Sequence, residues 1–355
     1  MTHDVLLGRR AVVTGALAGA ATASFLGALP APARADDDQD ALRDFRKRMR
    51  RLGARAVCVI RNGETVVSSG DVTTPLRIAS IRKSVLDALF GMAVAEGQID
   101  LGWTMADLGI DRLARLTPTE AGATVRQLLM SRSGVYLPAA AETSRQEAGR
   151  PRRGQYAPGA HWYYNNWDFN VLGRIYEMAV GEDVFTGVDR RLAGPLGWRD
   201  FNVRRHTEWV REPASTPFPA YDISLSARDM ARFGQLYLGD GSWNGRRLLD
   251  PAWVRESTTA HSRTRRSGLL SGYGYLWWAA RDWAEDQNFT AYSAVGNGGR
   301  YITVAPSLGL VISVQPNERR GWPPVRLYAD RCAYSDQVGR LIHGLGGPDL
   351  GGSCS

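Results

Sequence analysis

The chain is short of most features that assign a protein to a class at once. Its three cysteines, Cys58, Cys332 and Cys354, are too few among 355 residues for a disulfide scaffold and have no zinc-site spacing. Five histidines occur, none paired at i,i+4, so a His-built metal centre is not expected, nor any other cofactor. Lysine is nearly absent: of 44 basic residues only Lys47 and Lys83 are lysine, and the other 42 are arginine. No internal repeat or low-complexity linker is present. What remains is 44% hydrophobic and 23% charged, the make-up of a folded soluble protein. The formal charge is +8, yet no basic block exceeds Arg46-Lys47-Arg48 with its neighbours Arg50 and Arg51. Arginines dispersed among acids describe a solvated surface rather than a groove that tracks phosphates, so no nucleic-acid partner is expected.

Residues 1–35 have the pattern of an export signal. Arg9-Arg10 precede an alanine-rich run from Ala11 to Leu29, Pro30 and Pro32 break it, and Ala33-Arg34-Ala35 offers a small-x-small cleavage site. Paired arginines before a mild apolar stretch point to bacterial twin-arginine export and a periplasmic or secreted product. Gly15, Gly19 and Gly27 make the run a poor permanent span, so no stable membrane anchor is expected after processing. Residues 36–355 are then one large, two-lobed domain. An oxidising destination permits a disulfide; Cys332 with Cys354 would secure the C-terminal tail, while Cys58 sits in an apolar strand as a buried thiol.

Along that domain, a charged helical stretch over 36–53 leads into strands at Arg55–Ile60 and Thr65–Ser69 around Asn62-Gly63. A helix is expected from Ile81 to about Glu96, stopped by Gly97. Residues 104–200 read mostly helical, and Ser226 is a plausible N-cap for a helix ending near Leu238. Strand signals return at Tyr273–Ala279, Thr290–Val295, Tyr301–Val304 and Leu310–Val314. The expected fold is α+β: a sheet lobe from about 54–80 and 270–345, a helical lobe over about 100–225, and a site in the cleft between them.

Three segments could carry chemistry. The first is Ser80-Ile81-Arg82-Lys83. In a protein that uses arginine almost everywhere, a lysine stands out, because its amine can lose a proton and a guanidinium cannot. Three residues apart on a helix, Ser80 and Lys83 share a face, and burial with the helix N-terminal potential should depress the amine's pKa. A neutral Lys83 would then activate Ser80 as a nucleophile. The plainer alternative is a capping serine followed by a surface lysine. The second segment is Pro158-Gly159-Ala160-His161-Trp162-Tyr163-Tyr164-Asn165-Asn166-Trp167, where a phenol could relay a proton and an amide, that of Asn166, could hold a substrate carbonyl or position the lysine. An aromatic core patch with Asn166 capping the next helix fits equally well. The third is Val295-Gly296-Asn297-Gly298-Gly299-Arg300-Tyr301. Its glycines signal either a close backbone approach, with an N–H able to complete an oxyanion hole beside Ser80, or a plain hairpin turn.

Together these segments resemble the β-lactamase-like, penicillin-recognising serine hydrolases, over roughly Arg55 to Pro316. Supporting stretches are Ser131-Arg132-Ser133-Gly134, Ser226 to Gly234 and Gly272 to Trp278. The resemblance implies Ser80 as acylated nucleophile, Lys83 as its base, Tyr164 with Asn166 rather than Tyr163 with Asn165, and Gly296 and Asn297 against the substrate. The family's third motif carries a lysine or histidine where this chain has Ala294, which argues against β-lactam and D-Ala-D-Ala substrates unless Arg300 substitutes. The pattern is similar to the 6-aminohexanoate-dimer hydrolase and esterase branch, which implies a small amide or ester substrate. The alternatives are a D,D-peptidase or β-lactamase, or a non-catalytic protein that binds cell-wall fragments. Trp162, Trp167, Trp277, Trp278 and Trp283 either line an apolar acyl pocket or pack the core.

Overall fold

The structure, a computed structural model, describes residues 35–317 and 331–350. The export signal expected over 1–35 therefore lies, except for Ala35, outside the described residues, as does Cys354. Cys332 is disulfide-bonded and Cys58 is a free, buried thiol. Burial is the main cause that pushes the Cys58 pKa up to about 11, which makes it unreactive.

Eight antiparallel strands form the main sheet. From edge to edge they are Glu64–Gly70, Ala54–Arg61, Leu310–Pro316, Arg300–Ala305, Tyr292–Gly296, Trp278–Ala279, Gly272–Tyr273 and Ser262–Arg263. The N-terminal hairpin thus joins the sheet through the last strand, with Val57 opposite Val314 and Cys58 opposite Ser313. Strand alternation sends neighbours to opposite faces. Ile302 approaches Gly234 of the Ala227–Leu238 helix, whereas Tyr301 stacks on Tyr334 of the Arg331–Gly344 helix with ring centres 3.7 Å apart. The Arg331–Gly344 helix packs with the Ala35–Arg51 helix, so the sheet has helices on both faces.

One expectation changes. The single strand over Tyr273–Ala279 is instead two short strands folded back on each other, with Tyr273 opposite Trp278. Leu276 takes a positive φ of 59°, and a side chain at Gly274 would collide with the Ser257 carbonyl, so the chain turns there. Ser226 does cap the Ala227–Leu238 helix, through its Oγ and the Asp229 N–H at 3.2 Å.

The Ile81–Ala95 helix is buried from Ile81 through Ala93. A helix apolar nearly all round has to sit inside the molecule. This helix packs against the Asn166–Val180 helix and against the Tyr292–Gly296 and Arg300–Ala305 strands of the sheet.

Candidate active site

Ser80 ends a strained entry into this helix. Ala79 has φ of +49°, a left-handed conformation that a residue with a Cβ rarely adopts, and residues at functional sites are where such strain accumulates. Ser80 occupies the N-cap position, yet its hydroxyl caps nothing. The plain capping alternative for this serine is thereby set aside. Its Oγ instead accepts from Lys83 Nζ at 3.0 Å.

Lys83 is 1% exposed. Its amine also donates to Tyr164 OH at 2.8 Å and to Asn166 Oδ1 at 2.9 Å. The amine lies 4.3 Å from the ring centres of both Tyr164 and Phe169. Four residues from two distant stretches therefore converge on one nitrogen.

The second segment is held by the loop before it. Ser131 Oγ donates to the Tyr163 carbonyl at 2.6 Å and accepts from the Asn165 N–H at 3.0 Å. The cap of the Asn166–Val180 helix is Asn165, whose side chain accepts from the Trp167 N–H, and not Asn166 as the plainer alternative had it. Asn166 is released to face Lys83, and its Nδ2 donates to the Ala141 carbonyl at 2.7 Å. The register is therefore Tyr164 with Asn166. Tyr163 points elsewhere, its hydroxyl donating to the Gln146 carbonyl at 2.6 Å.

Beneath this loop Asp168 is fully buried and accepts from Ser133 Oγ at 2.5 Å and Asn165 Nδ2 at 2.9 Å. Burial raises its carboxyl pKa well above the ordinary value, against the pull of those bonds. Neither Asp168 nor Gln146 was singled out from sequence. Gln146 reaches Asn166 Oδ1 at 3.3 Å, and its one sequence signal is the Thr143-to-Gln146 capping-box spacing.

The third segment is both a hairpin turn and a close approach. Gly298 and Gly299 take φ of 94° and 85° between the paired strands Tyr292–Gly296 and Arg300–Ala305. A Cβ on Gly296 would stand 2.4 Å from the Ile78 carbonyl oxygen. Only glycine lets this strand end lie against the backbone that leads to Ser80. Asn297 lines the same cavity as Ser80, and neither backbone N–H donates to another group among the described residues.

Arg300 is the bolt of this arrangement. Its Nε donates to the Arg77 carbonyl, and one terminal nitrogen donates to the Asn297 carbonyl at 2.7 Å. Burial first, then the nearby Arg77 charge, lowers its pKa to about 10. Ala294 is fully buried and does not line the cavity.

The cavity above Ser80 encloses about 1510 Å³. Trp162 and Trp278 line it, and Tyr164 stacks on Trp278 with ring centres 5.4 Å apart. Trp167, Trp277 and Trp283 are core residues, so the tryptophans divide between the two expected roles. Among the described residues no helix is long and apolar enough to cross a membrane.

The Beta-lactamase family model matches residues 39–331. A candidate 6-aminohexanoate-dimer hydrolase from Bacillus anthracis superposes with a TM-score of 0.62 at 22% identity, covering 85% of this chain and 82% of that one. A penicillin-binding protein homologue from Caulobacter crescentus gives 0.59 at 18% identity, covering 84% of this chain and 98% of the other. An octameric penicillin-binding protein homologue from Pyrococcus abyssi gives 0.61 at 17%, covering 87% and 78%. A curated relative, an uncharacterized protein from Alkalihalophilus pseudofirmus, is 22% identical over 216 residues, 58% of this chain. That match spans 60% of the relative's own length. At such identities the structural likeness establishes the β-lactamase/transpeptidase-like α+β fold, and the family model covers most of the chain: the protein belongs to the Beta-lactamase family.

Proposed function

We propose that the chain is an exported hydrolase that cleaves a small amide or ester through an acyl-enzyme on Ser80. The observation that carries this reading is the Lys83 amine, buried and 3.0 Å from Ser80 Oγ while bonded to Tyr164 and Asn166. Ser80 Oγ attacks the carbonyl carbon, and its proton passes to the Lys83–Tyr164 pair. The N–H groups of Ser80 and Asn297 donate to the oxyanion that forms. Collapse breaks the bond to the amine or alcohol, which leaves with the proton relayed by Tyr164. Water then attacks the Ser80 ester, the same pair takes its proton, and the acid departs as Ser80 regains its hydrogen. Asn166 holds the amine in line throughout.

Ala294 supports an amidase or esterase over a D,D-peptidase or β-lactamase, because a buried methyl cannot hold the carboxylate those substrates present. The test uses residues 36–355 with a fluorophosphonate and a fluorescent penicillin, read by intact mass. A phosphonate adduct on Ser80 without a penicillin adduct is expected. Labelling by both would replace the amidase or esterase assignment with a penicillin-binding one, and labelling by neither on folded protein would overturn the hydrolase mechanism. Export is tested separately: the mature product recovered outside the cytoplasm should begin at Asp36.

A further inference from the structure

The lining of the cavity is strongly biased in charge. Several arginines of the molecule are matched with acids, among them Arg55 with Asp71, Arg153 with Glu120 and Arg228 with Asp200. Among the described residues that line the cavity there are eight arginines and one carboxylate, Glu142, which is itself paired with Arg150; of the eight, Arg77 and Arg82 meet Asp222 and Arg263 meets Glu285 behind the lining. Three of the others, Arg132, Arg145 and Arg265, line this cavity together with Trp162. Arg132 is fixed there by neutral acceptors, the Gly159 carbonyl and Ser262 Oγ at 2.9 Å, so its position is set while its charge is left uncompensated. Arg145 and Arg265 are exposed and make no ion pair with any described residue. The three line the same cavity. Arg265 and Arg132 both act electrostatically on His161, whose pKa is lowered by burial and then by these two charges. Arg145 adjoins Gln146, which reaches Asn166 of the site.

A concave, partly desolvated surface lined with one sign of charge focuses its field into the opening and raises the local concentration of the opposite sign. Guanidiniums with unused donors match the planar or tetrahedral oxygens of a carboxylate or phosphate. We propose that Arg132, Arg145 and Arg265 form a subsite for an anionic group, carboxylate or phosphate, that the substrate carries at the end remote from the scissile bond. The proposal rests on the acyl-enzyme reading above and narrows its substrates to acidic amides or esters.

The experiment uses the full chain and 4-nitrophenyl esters of one eight-carbon acyl chain ending in carboxylate, phosphonate, carboxamide or ammonium. At low ionic strength kcat/KM for an anionic end should exceed that for carboxamide by about tenfold, with ammonium lowest. The ratio should shrink toward one in high salt. The larger of the carboxylate and phosphonate ratios assigns the group. In the Arg145→Gln, Arg265→Gln double variant the ratio should fall to within about twofold of one, while Arg174→Gln, exposed on the Asn166–Val180 helix and outside the cavity lining, should leave it unchanged. Equal turnover of anionic and neutral ends by the unaltered chain, or a ratio that survives in the double variant, overturns the proposal. If no ester is turned over and Ser80 gains no adduct, the acyl-enzyme reading is what has failed. The subsite is then decided by titrating Ser80→Ala with the eight-carbon monoacid monoamide against the corresponding diamide. Tighter binding of the acid, lost in the double variant, upholds it, and equal binding overturns it.

Discussion

On one side of Ser80 a single amine meets three neutral oxygens; on the other, two guanidiniums share the Asp222 carboxylate and a third is tied to backbone carbonyls. Lys83 donates to Ser80, Tyr164 and Asn166. Arg77 and Arg82 both approach Asp222, Arg82 with its Nε 3.9 Å away, and Arg300 links the carbonyls of Arg77 and Asn297. Both walls are built from basic side chains, with Lys83, Arg82 and Arg300 buried and Arg77 exposed, yet the two side-chain types differ in chemistry. A guanidinium keeps its charge and presents several donors in a plane, which suits holding backbone in place. An amine has one nitrogen that can exchange a proton, which suits chemistry. A chain with 42 arginines and two lysines has placed one of its lysines beside Ser80, and the proposed mechanism turns on that distinction.

The comparison breaks most sharply if the two cations are made alike. Lys83→Arg keeps the charge and should still lower kcat/KM by about 10³-fold, measured on any ester the unaltered chain turns over. Activity within tenfold would mean that charge alone is needed and that the proton-shuttle role is wrong. Tyr164→Phe comes next, with an expected fall of about 10²-fold in kcat and a smaller change in KM, because it removes the relay and leaves the lysine and serine in place. On the other wall, Arg300→Gln should lower kcat by about tenfold through a misplaced Asn297 N–H, and stability by about 1–3 kcal/mol through the two lost bonds, read by denaturant melts. Arg300→Lys should behave like the glutamine variant, since an ammonium cannot span two carbonyls as a fork does. Full rescue by lysine would assign Arg300 to charge rather than to holding the turn.

How much of this was legible in the sequence follows the same division. Ser80 and Lys83 are three residues apart on one helix, so local spacing alone places them together. Tyr164 and Asn166 were readable because the segment's resemblance selected the register, and the loop from Ser131 to Gly134 enforces it by bonds no periodicity reveals. Asn165 and Asn166 are adjacent and chemically identical, so which one caps the helix and which one faces Lys83 is decided only by tertiary contacts. Gly296 was legible as a close approach, but its neighbour, the Ile78 carbonyl, lies more than two hundred residues away in the chain. The strand expected over Tyr273–Ala279 failed because alternation does not register a leucine at positive φ. The charge of the cavity mouth was invisible for a plainer reason: arginines are spread evenly along the chain, and only folding separates those with acidic partners from those without.

The smallest expected effect on activity sharpens where the site stops. Asp87 is one helical turn past Lys83, yet it is fully buried and accepts from Tyr237 OH at 2.6 Å and Trp277 Nε1 at 3.1 Å. Burial raises its pKa to about 7 despite those bonds. Between the unfolded value near 3.9 and the folded one near 7, the native state binds the proton more tightly than the unfolded chain does. The stabilisation associated with Asp87 is thus full below about pH 4 and lost as pH rises toward and through 7. Asp71, whose pKa is lowered by bonds from Thr74 and Arg55, has the opposite sign and acts at lower pH. Asp168 shares the sign of Asp87, so the difference between variant and parent, not the raw profile, isolates Asp87. Asp87→Asn should flatten the fall in melting temperature between pH 5 and 8 while kcat/KM at pH 7 changes by less than about threefold, in keeping with a residue remote from the reacting atoms. A loss on the scale of Lys83→Arg would place Asp87 in the proton path and extend the chemical wall one turn deeper into the helix.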